Sequence, residues 1–264
     1  MRFSNIILSI DDNVARLTLN RPRTLNSLDG DTMAELAQAI HQVGHDAQAK
    51  VLVLTGAGRA FCAGQDLNDP AMHEANGQPP DIGDLVEQRF KPLVGRLQNL
   101  GIPTLAAVNG LAAGAGASLA LSCDVVVAAR SAYFLQAFSK LGLTPDTGAT
   151  WYLTHFIGAS RARALAMLAE KLPAEQAEQW GLIWKSTEDD AFETEIDLLA
   201  RRLAAMPTQA MVGTRQLIQA AGSNTLERQL SMEAAIIREM GRTQDYNEGL
   251  KAFMQKRPPR FTGQ

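Results

Sequence analysis

The sequence predicts a mixed α/β fold, and two observations lead to this prediction. Strand patterns alternate with helix patterns as far as residue 155, which is typical of helices packed on a sheet. Beyond that point the pattern is helical, apart from one short apolar strand predicted at Leu182-Ile183-Trp184. With 264 residues the chain can bury the core of one large domain, or of one domain with a smaller appendage.

The predicted elements begin with a β-hairpin. Its two strands have alternating apolar residues and are separated by Asp11-Asp12-Asn13, and they cover residues 3–10 and 14–20. The first helix follows a loop with two arginines, and Thr32 with Glu35 is predicted to form its capping box. The apolar face of this helix repeats at helical spacing: Met33, Leu36, Ala37, Ile40 and Val43.

The later elements follow from the same two periodicities. Further strands are predicted over 50–55, 103–108, 124–128 and 133–135. Further helices are predicted over 86–100, 149–156, 160–169, 173–179, 190–205, 208–221 and 225–255. Residues 68–84 show no periodicity, and so long a loop in a compact domain is usually functional, often a lid or specificity segment. The helices gathered at the end of the chain suggest self-association.

Composition and charge exclude several classes of protein. The chain is 46% hydrophobic and 20% charged with a formal net charge of −3, so we expect no nucleic-acid surface. No apolar run approaches the ~20 residues of a membrane-spanning helix, and no signal peptide is evident. Cys62 and Cys123 lie in apolar runs without metal-ligand spacing. We therefore expect a reduced, cytoplasmic protein without a metal site.

Three other residues, Cys62, His41 and His45, could act in catalysis or metal binding only with partner residues that the sequence does not show. Cys62 has no histidine in or near its motif, which favours a buried cysteine over a nucleophile. His41 and His45 share one helix face but lack a third ligand, which favours a solvated face over a metal site.

Two glycine-rich segments follow buried strands, at 56–67 and 109–120. The first matches neither G-x-G-x-x-G nor G-x-x-x-x-G-K-[ST], so a nucleotide-phosphate loop is excluded there. Small residues such as those of the second segment let backbone approach backbone or a ligand closely.

The segment from Phe138 to Thr150 contains the most informative carboxylate, Asp146. Pro145 precedes it and favours a turn, and a helix is predicted to begin near Thr147. At this junction helix-end N–H groups would lower the pKa of the carboxyl, whereas apolar neighbours would raise it. Opposing influences of this kind are usual for an acid–base residue. The alternative is that Asp146 only caps the helix.

Motifs along nearly the whole chain, in the same order, resemble the enoyl-CoA hydratase/isomerase (crotonase) family. They are Arg-Pro-x-x-x-Asn at 21–26, Ala-Phe-Cys-Ala-Gly-Gln-Asp-Leu at 60–67, Ala-Val-Asn-Gly-x-Ala-x-Gly-x-Gly at 107–116, Leu-Gly-x-x-Pro-Asp-x-Gly-x-Thr at 141–150 and Glu-Gly-x-x-Ala-Phe-x-x-Lys-Arg at 248–257. The resemblance implies a spiral core of ββα units over 1–190 and a C-terminal helical trimerisation region over 191–264. It also implies an acyl-CoA substrate, no separate cofactor, and a homotrimer or homohexamer.

The resemblance assigns roles to individual residues. The backbone N–H groups of Ala63 and Ala115 are implied to hold the thioester oxygen, where each such donor is typically worth about 3–4 kcal/mol of barrier. Hydratases of the family activate water with two glutamates, and this chain has Ser118 and Phe138 at the matching positions. Asp146 stands where hydratases usually have glycine. Because one carboxylate suffices for a 1,3-proton transfer, the resemblance favours an isomerase with Asp146 as general base.

Within the family, the segments 65–68, 138–143 and 260–263 are most similar to isomerases of ring-1,2-epoxyphenylacetyl-CoA, which form an oxepin in phenylacetate breakdown. Double-bond shifts between Δ3 and Δ2 enoyl-CoA are a second expected activity. Three alternatives stay open: a hydratase, an aryl-CoA dehalogenase-like hydrolase, and a non-catalytic acyl-CoA-binding protein. The hydrolase would need a tryptophan at Phe138 and a helper histidine, and no histidine occurs between His73 and His155.

Substrate contacts are predicted for residues in or beside the family motifs: Arg23, Leu25, Ala60, Gln65, Asp66, Leu67, Gly114, Phe138, Phe253 and Lys256. Arg23 and Lys256 are implied to offset the coenzyme A phosphates, whereas Arg257 fits this role and an exposed surface charge equally well. Phe253 packs either on the adenine or in a helical core. Asp66 is either a second acid or, preferably, a loop anchor.

Overall fold

The computed structural model describes residues 3–75 and 77–264, so Met1, Arg2 and Asn76, the last within the predicted 68–84 loop, lie outside the described residues. Its strands are β1 Ile6–Asp11, β2 Val14–Leu19, β3 Val51–Gly56, β4 Ala60–Cys62, β5 Thr104–Val108, β6 Leu111–Ala113, β7 Val125–Ala129, β8 Tyr133–Leu135, β9 Lys171–Pro173 and β10 Lys185–Thr187. Its α-helices are α1 Gly30–His45, α2 Ile82–Leu85, α3 Lys91–Gln98, α4 Ala115–Leu121, α5 Ala149–Leu168, α6 Ala174–Gln179, α7 Phe192–Ala204, α8 Thr208–Ala221, α9 Leu226–Met240 and α10 Gln244–Met254.

The larger sheet has the strand order β1-β2-β3-β5-β7-β10. Strands β1 and β2 form the predicted antiparallel hairpin, and the strands from β2 to β10 run parallel. Ala15, Leu17 and Leu19 of β2 are all buried, as their alternation predicts. Side chains of α1 cover this part of the sheet and contribute Leu36 and Ile40 to the same core.

The smaller sheet has the strand order β4-β6-β8-β9, in which β4, β6 and β8 run parallel. Consecutive strand pairs are therefore divided between the sheets: β3 with β4, β5 with β6, and β7 with β8. A helical segment follows each pair, which gives the spiral of ββα units predicted for the core. Because β4, β6 and β8 are parallel neighbours, the segments that leave their carboxyl ends emerge at one edge of the smaller sheet.

Small residues allow successive turns of the spiral to touch. At Gly116, in the first turn of α4, a Cβ atom would lie 2.4 Å from the carbonyl oxygen of Cys62. No side chain fits at that distance, so the approach of α4 to β4 requires glycine.

Several predicted elements differ from the structure in their ends or in their division. Helix α1 begins two residues before Thr32, because the Asp29 side chain accepts a hydrogen bond from the Thr32 N–H at 2.8 Å and is the N-cap. The predicted capping box is therefore wrong, and Glu35 accepts instead from the N–H groups of Ser4 and Asn5.

The predicted strand at 182–184 is also displaced. Leu182 and Ile183 are buried beneath the sheet, and the edge strand β10 starts only at Lys185, opposite Val127. The apolar residues predicted as a strand therefore belong to a packed loop, whereas the edge strand β10 consists of polar residues. The predicted helix over 225–255 is two helices, since Thr243 caps a new helix by accepting from the Tyr246 N–H.

The C-terminal helices attach to the core in two ways. Helix α7 inserts Phe192, Ile196 and Ala200 into the same hydrophobic core. Helix α8 is held by the buried Arg215, whose Nε donates to Asp124 at 2.6 Å and whose guanidinium also donates to three main-chain carbonyls. In the described part of the chain, no helix has the length and apolar character needed to cross a membrane.

Candidate active site

A cavity of about 260 Å³ lies at the edge of the smaller sheet where the segments after β4, β6 and β8 emerge. The predicted site residues that line it are Ala63, Gln65, Leu67, Gly114, Ala115, Phe138 and Asp146. Apolar side chains from the 68–90 region form another wall, among them Met72, Ile82, Leu85 and Phe90. The topology of the smaller sheet therefore gathers residues that are far apart in the sequence.

Asp146 is the only carboxylate among the described residues that line this cavity. Its Oδ1 accepts a hydrogen bond from the Thr147 hydroxyl at 2.8 Å. Burial raises the pKa of the Asp146 carboxyl above its ordinary value, although the Thr147 bond lowers it in part. The balance favours a carboxyl that can accept and release a proton.

The helix-cap alternative for Asp146 is wrong. The N-cap of α5 is Gly148, and the Ala149 N–H donates to the main-chain carbonyl of Asp146 rather than to its carboxylate. No helix-end N–H bonds to this carboxylate within the described residues. The group that lowers the pKa of the Asp146 carboxyl is therefore the Thr147 hydroxyl, and not the helix-end N–H groups expected from the sequence.

Ala115 supplies a main-chain N–H at the cavity. It is the first residue of α4, where N–H groups have no acceptor within the helix. The preceding Gly114 has φ +51 and its own N–H donates to Leu135. The role of Ala115 as a donor to the thioester oxygen stays a prediction.

The predicted donor role of Ala63 needs correction. The Ala63 N–H already donates to the carbonyl oxygen of Leu25 at 3.0 Å. The N–H of Gln65, two residues later, has no protein acceptor in the described part of the chain. Between them, Gly64 has φ +91, and a Cβ placed on it would lie 3.3 Å from the Ala115 nitrogen. Gln65 and Ala115 both line the cavity and are therefore the candidate main-chain donors there.

The two positions at which hydratases carry glutamates offer no acid here. Ser118 is fully buried, with its hydroxyl 3.4 Å from the Gly114 carbonyl oxygen and 3.5 Å from that of Asp146. The buried Phe138 ring packs close to Gly114. Lys140 is the other charged side chain lining the cavity among the described residues, and it forms no ion pair with Asp146.

Asp66 anchors a loop and does not line the cavity. Its carboxylate accepts from Arg21 at 2.9 Å, from the Ser27 hydroxyl at 3.0 Å and from the Asn68 N–H at 3.0 Å. Burial tends to raise the pKa of this carboxyl, but these hydrogen bonds hold it below its ordinary value. The predicted substrate contact of Asp66 is corrected accordingly, because its oxygens are already occupied by protein donors.

The loop before α1 lies beside the cavity without lining it. The Asn26 side chain donates to the carbonyl oxygen of Ala60 at 2.7 Å and holds this loop against β4. Ala60 is buried within β4, so its predicted substrate contact is not seen in a single chain. Leu25 adjoins the cavity through its bond to Ala63, and Arg23 is exposed in a short 3₁₀ helix.

The predicted substrate-binding residues near the C-terminus lie away from the Asp146 cavity. Phe253 is 83% exposed and borders a different groove, formed mainly by α8, α10 and the chain end. Lys256, three residues after Phe253 and just beyond the end of α10, is exposed as well. Arg257 is engaged by Glu248 at 2.6 Å and 2.9 Å. One chain alone does not bring these three residues to the Asp146 cavity.

Cys62 and the two histidines of α1 lie outside the cavity. Cys62 is buried and burial raises the pKa of its thiol to about 12, so it is not a nucleophile at neutral pH. The rings of His41 and His45 stack on the exposed side of α1. Within the described residues, no three side chains of His, Cys, Asp or Glu gather in a way that could hold a metal ion.

Comparison with known proteins agrees with this fold. The family model described as "Enoyl-CoA hydratase/isomerase" matches residues 9–264. The chain is 49% identical over 258 residues to a 1,2-epoxyphenylacetyl-CoA isomerase of Escherichia coli K12, with 98% of each protein covered. It is 34% identical over 265 residues to a 2,3-dehydroadipyl-CoA hydratase of the same organism, with 98% of this chain and 99% of that protein covered.

A solved structure extends the comparison to the fold. The enoyl-CoA hydratase from Bacillus anthracis superposes with a TM-score of 0.91 at 31% identity, covering 99% of this chain and 100% of that one. Sequence, architecture and cavity therefore lead to one assignment: the chain belongs to the enoyl-CoA hydratase/isomerase family.

Proposed function

We propose that this protein is an isomerase of acyl-CoA thioesters that uses Asp146 as a single proton-transferring group. The observation that carries the proposal is the cavity itself. One half-buried carboxylate shares it with the main-chain N–H groups of Gln65 and Ala115, and among the described lining residues no second carboxylate is present to activate water. A hydratase of the family would carry glutamates in place of both Ser118 and Phe138.

The proposed reaction moves one proton and conserves the atoms of the substrate. The Asp146 carboxylate takes a proton from the carbon next to the thioester, and the electron pair of that C–H bond moves onto the thioester oxygen. The Gln65 and Ala115 N–H groups stabilise this oxyanion, typically by about 3–4 kcal/mol for each donor. Asp146 then returns the proton to another carbon of the conjugated enolate, and the thioester carbonyl re-forms.

The proposed substrate is the ring-1,2-epoxide of phenylacetyl-CoA, and the proposed product is its seven-membered oxepin isomer. The ring C–C bond bridged by the epoxide oxygen breaks, and its electron pair joins the two ring double bonds to give a triene. The proton that Asp146 then moves from the carbon next to the thioester to a ring carbon completes the isomerisation without gain or loss of atoms. The cavity walls near Asp146 are largely apolar, with Phe90 and Phe138 among them, which suits an aromatic acyl group. The Escherichia coli isomerase of 49% identity supports the same choice. Isomerisation between Δ3 and Δ2 enoyl-CoA is a second proposed activity, and neither reaction requires a cofactor beyond the coenzyme A of the substrate.

The test is Asp146→Asn, which keeps the shape of the side chain. We expect kcat to fall by about 10²–10⁴-fold while acyl-CoA binding is retained, since general acid–base catalysis typically contributes this much. Asp31→Asn, at an exposed position of α1, is the control and should leave kcat unchanged. Turnover retained in Asp146→Asn would remove this carboxylate from the mechanism.

Other outcomes would identify the alternatives. Loss of absorbance with crotonyl-CoA would indicate a hydratase, and an aryl adduct on Asp146 after 4-halobenzoyl-CoA would indicate a hydrolase. Binding of several acyl-CoAs without turnover of any would indicate a non-catalytic binding protein.

We also propose that the protein assembles as a homotrimer or a pair of trimers and acts in the cytoplasm. Large apolar side chains of α9 and α10 are exposed in the single chain, including Leu226 at 76%, Ile237 at 71% and Phe253 at 83%. A neighbouring copy that covers them could also bring Phe253 and Lys256 to the coenzyme A. Light scattering of the purified protein tests the assembly, and Ile237→Asp should shift it toward the monomer. The two unpaired, buried cysteines suit the proposed reducing compartment.

A further inference from the structure

Thr147 combines three properties that are rarely found in one residue. It is buried, it is β-branched, and its backbone has φ +53 in the left-handed region. Left-handed backbone is a genuine outlier for a β-branched residue, and such strain persists only where the surrounding structure holds it in place. Strain of this kind concentrates at functional sites, and Thr147 follows Asp146 directly.

The Thr147 side chain makes one specific contact. Its hydroxyl donates to Oδ1 of Asp146 at 2.8 Å. No other protein donor reaches either oxygen of that carboxylate within the described residues, so Oδ2 keeps its lone pairs. The carboxylate is thus held at one oxygen only.

We propose that Thr147 is a positioning residue for Asp146: its hydroxyl fixes Oδ1 so that Oδ2 is the oxygen that takes and returns the substrate proton. This inference rests on the proposed function of the same cavity. It explains why a strained threonine occupies this place, since a hydroxyl at this position reaches back to the side chain of the preceding residue.

The other polar groups around Asp146 do not replace this contact. Lys140 lines the cavity but forms no ion pair with the carboxylate. The hydroxyl of Tyr152, one turn into α5, accepts from the Gln98 side chain at 2.7 Å, and burial raises the pKa of that hydroxyl. Helix α4 carries no titratable side chain, and the Cys62 thiol behind it is neutral. Thr147 is therefore the neighbour whose removal changes how the carboxyl titrates.

The test compares Thr147→Val with Thr147→Ser. Valine keeps the branched shape and removes the hydroxyl, so kcat should fall about 10–100-fold, the equivalent of losing a hydrogen bond to a charged group, with KM changed less than about threefold. The acidic limb of the kcat profile should move to higher pH, because a contact that lowers the pKa of Asp146 is lost. Serine should restore both kcat and the profile.

A measurement without turnover makes the inference independent of the assay. Titration of the Asp146 carboxyl by ¹³C NMR, assigned by the signal lost in Asp146→Asn, should give a higher pKa in Thr147→Val and the original pKa in Thr147→Ser. Thr147→Gly relieves the strain and also lacks the hydroxyl, so it should fold well and still show the valine kinetics.

An unchanged kcat profile or an unchanged Asp146 pKa in Thr147→Val would overturn the positioning role. The proposed function fails separately, if Asp146→Asn retains turnover. An inactive Asp146→Asn together with a fully active Thr147→Val would refute the positioning role alone.

Discussion

The carbonyl oxygen of Leu25 accepts a hydrogen bond from the Ala63 N–H at 3.0 Å, and this contact decides which main-chain donors remain for a ligand. It fastens the loop before α1 to the segment after β4. It also engages the Ala63 N–H, so the candidate main-chain donors that remain at the cavity are Gln65 and Ala115.

We expect a bound enolate analogue to contact that pair. In a crystal structure with acetoacetyl-CoA, the thioester oxygen should lie about 2.7–3.1 Å from the nitrogens of Gln65 and Ala115, the range required of such donors. Gly64→Ala should lower kcat by about 10²-fold or more, because its Cβ would lie 2.8 Å from the Ala113 carbonyl oxygen and displace the loop. An oxygen bound instead to the Ala63 N–H, with the Leu25 bond broken, would contradict the assignment.

Asp146→Asn should raise the melting temperature at neutral pH while it removes activity. Burial raises the pKa of this carboxyl in the folded state, so the folded protein holds the proton more tightly than the unfolded chain. Ionisation therefore opposes folding as pH rises through the unfolded and then the folded pKa. The gain from asparagine should vanish below pH ~3.9, the ordinary pKa of aspartate, where both states are protonated.

Asp66→Asn is the matched comparison and should have the opposite effect. Its pKa is held below the ordinary value in the folded state, so its ionisation favours folding above the unfolded pKa. The variant should melt at a lower temperature at neutral pH, and the difference should shrink as pH falls through the folded pKa. Calorimetry of both variants from pH 3 to 8 checks the two signs, and a stabilising Asp66→Asn would contradict the anchoring role.

Asp69→Ala should loosen the cavity wall. The buried Asp69 carboxylate accepts from the Gly30 N–H at 2.7 Å, the Ala71 N–H at 2.8 Å and the Arg89 guanidinium at 3.0 Å. Leaving these donors without their acceptor should cost about 1–3 kcal/mol of the free energy of unfolding. Because Met72 of the same segment lines the cavity, KM for the acyl-CoA should rise more than kcat falls.

The control for this prediction is Asp84→Ala, which removes an exposed carboxylate of α2 that, in the described part of the chain, accepts hydrogen bonds from Gln88 alone. Its effect on unfolding should stay within about 0.5 kcal/mol. Equal KM values for Asp69→Ala and the unmodified protein would show that the segment is not part of the binding wall.

Arg215→Met should separate helix α8 from the core. The Arg215 side chain is 6% exposed. Removing it leaves Asp124 with Thr104 as its donor and without its cation, and it leaves the carbonyl oxygens of Leu100 and Ile102 without their donor. Breaking a buried ion pair from one side typically costs about 3–5 kcal/mol. Urea unfolding measures the loss of stability, and the control is Arg202→Met, which replaces an exposed arginine of α7. Equal urea midpoints for the two variants would contradict the prediction.

Much of the fold follows from local sequence patterns, and the exceptions have physical causes. The hairpin and the parallel strands were predictable because their residues alternate or form short apolar runs. Thr32 and Glu35 fit a capping box by spacing, but Asp29 is the better placed cap. Leu182 and Ile183 are as apolar as a strand, yet they pack as a loop, and periodicity cannot separate the two cases.

The candidate site was predictable in its residue types and less so in its individual contacts. Asp146 could be found because a carboxylate follows Pro145 at the start of a helix. The choice between Ala63 and Gln65 could not be made, because it depends on a contact with Leu25 from a distant loop. The left-handed backbone of Thr147 was equally hidden, since threonine is an ordinary residue for a helix start.

Because β4, β6 and β8 are parallel neighbours, each of the three segments that follow them contributes a different group to the cavity. The segment after β4 contributes the main-chain amide of Gln65, and the segment after β6 contributes that of Ala115. Substituting the side chains of these two residues leaves both amides in place. The segment after β8 contributes the carboxyl group of Asp146, which belongs to a side chain and is lost when that residue is substituted. If the proposed mechanism holds, replacing a few side chains would change the reaction, while the main-chain donors to the thioester oxygen would stay the same.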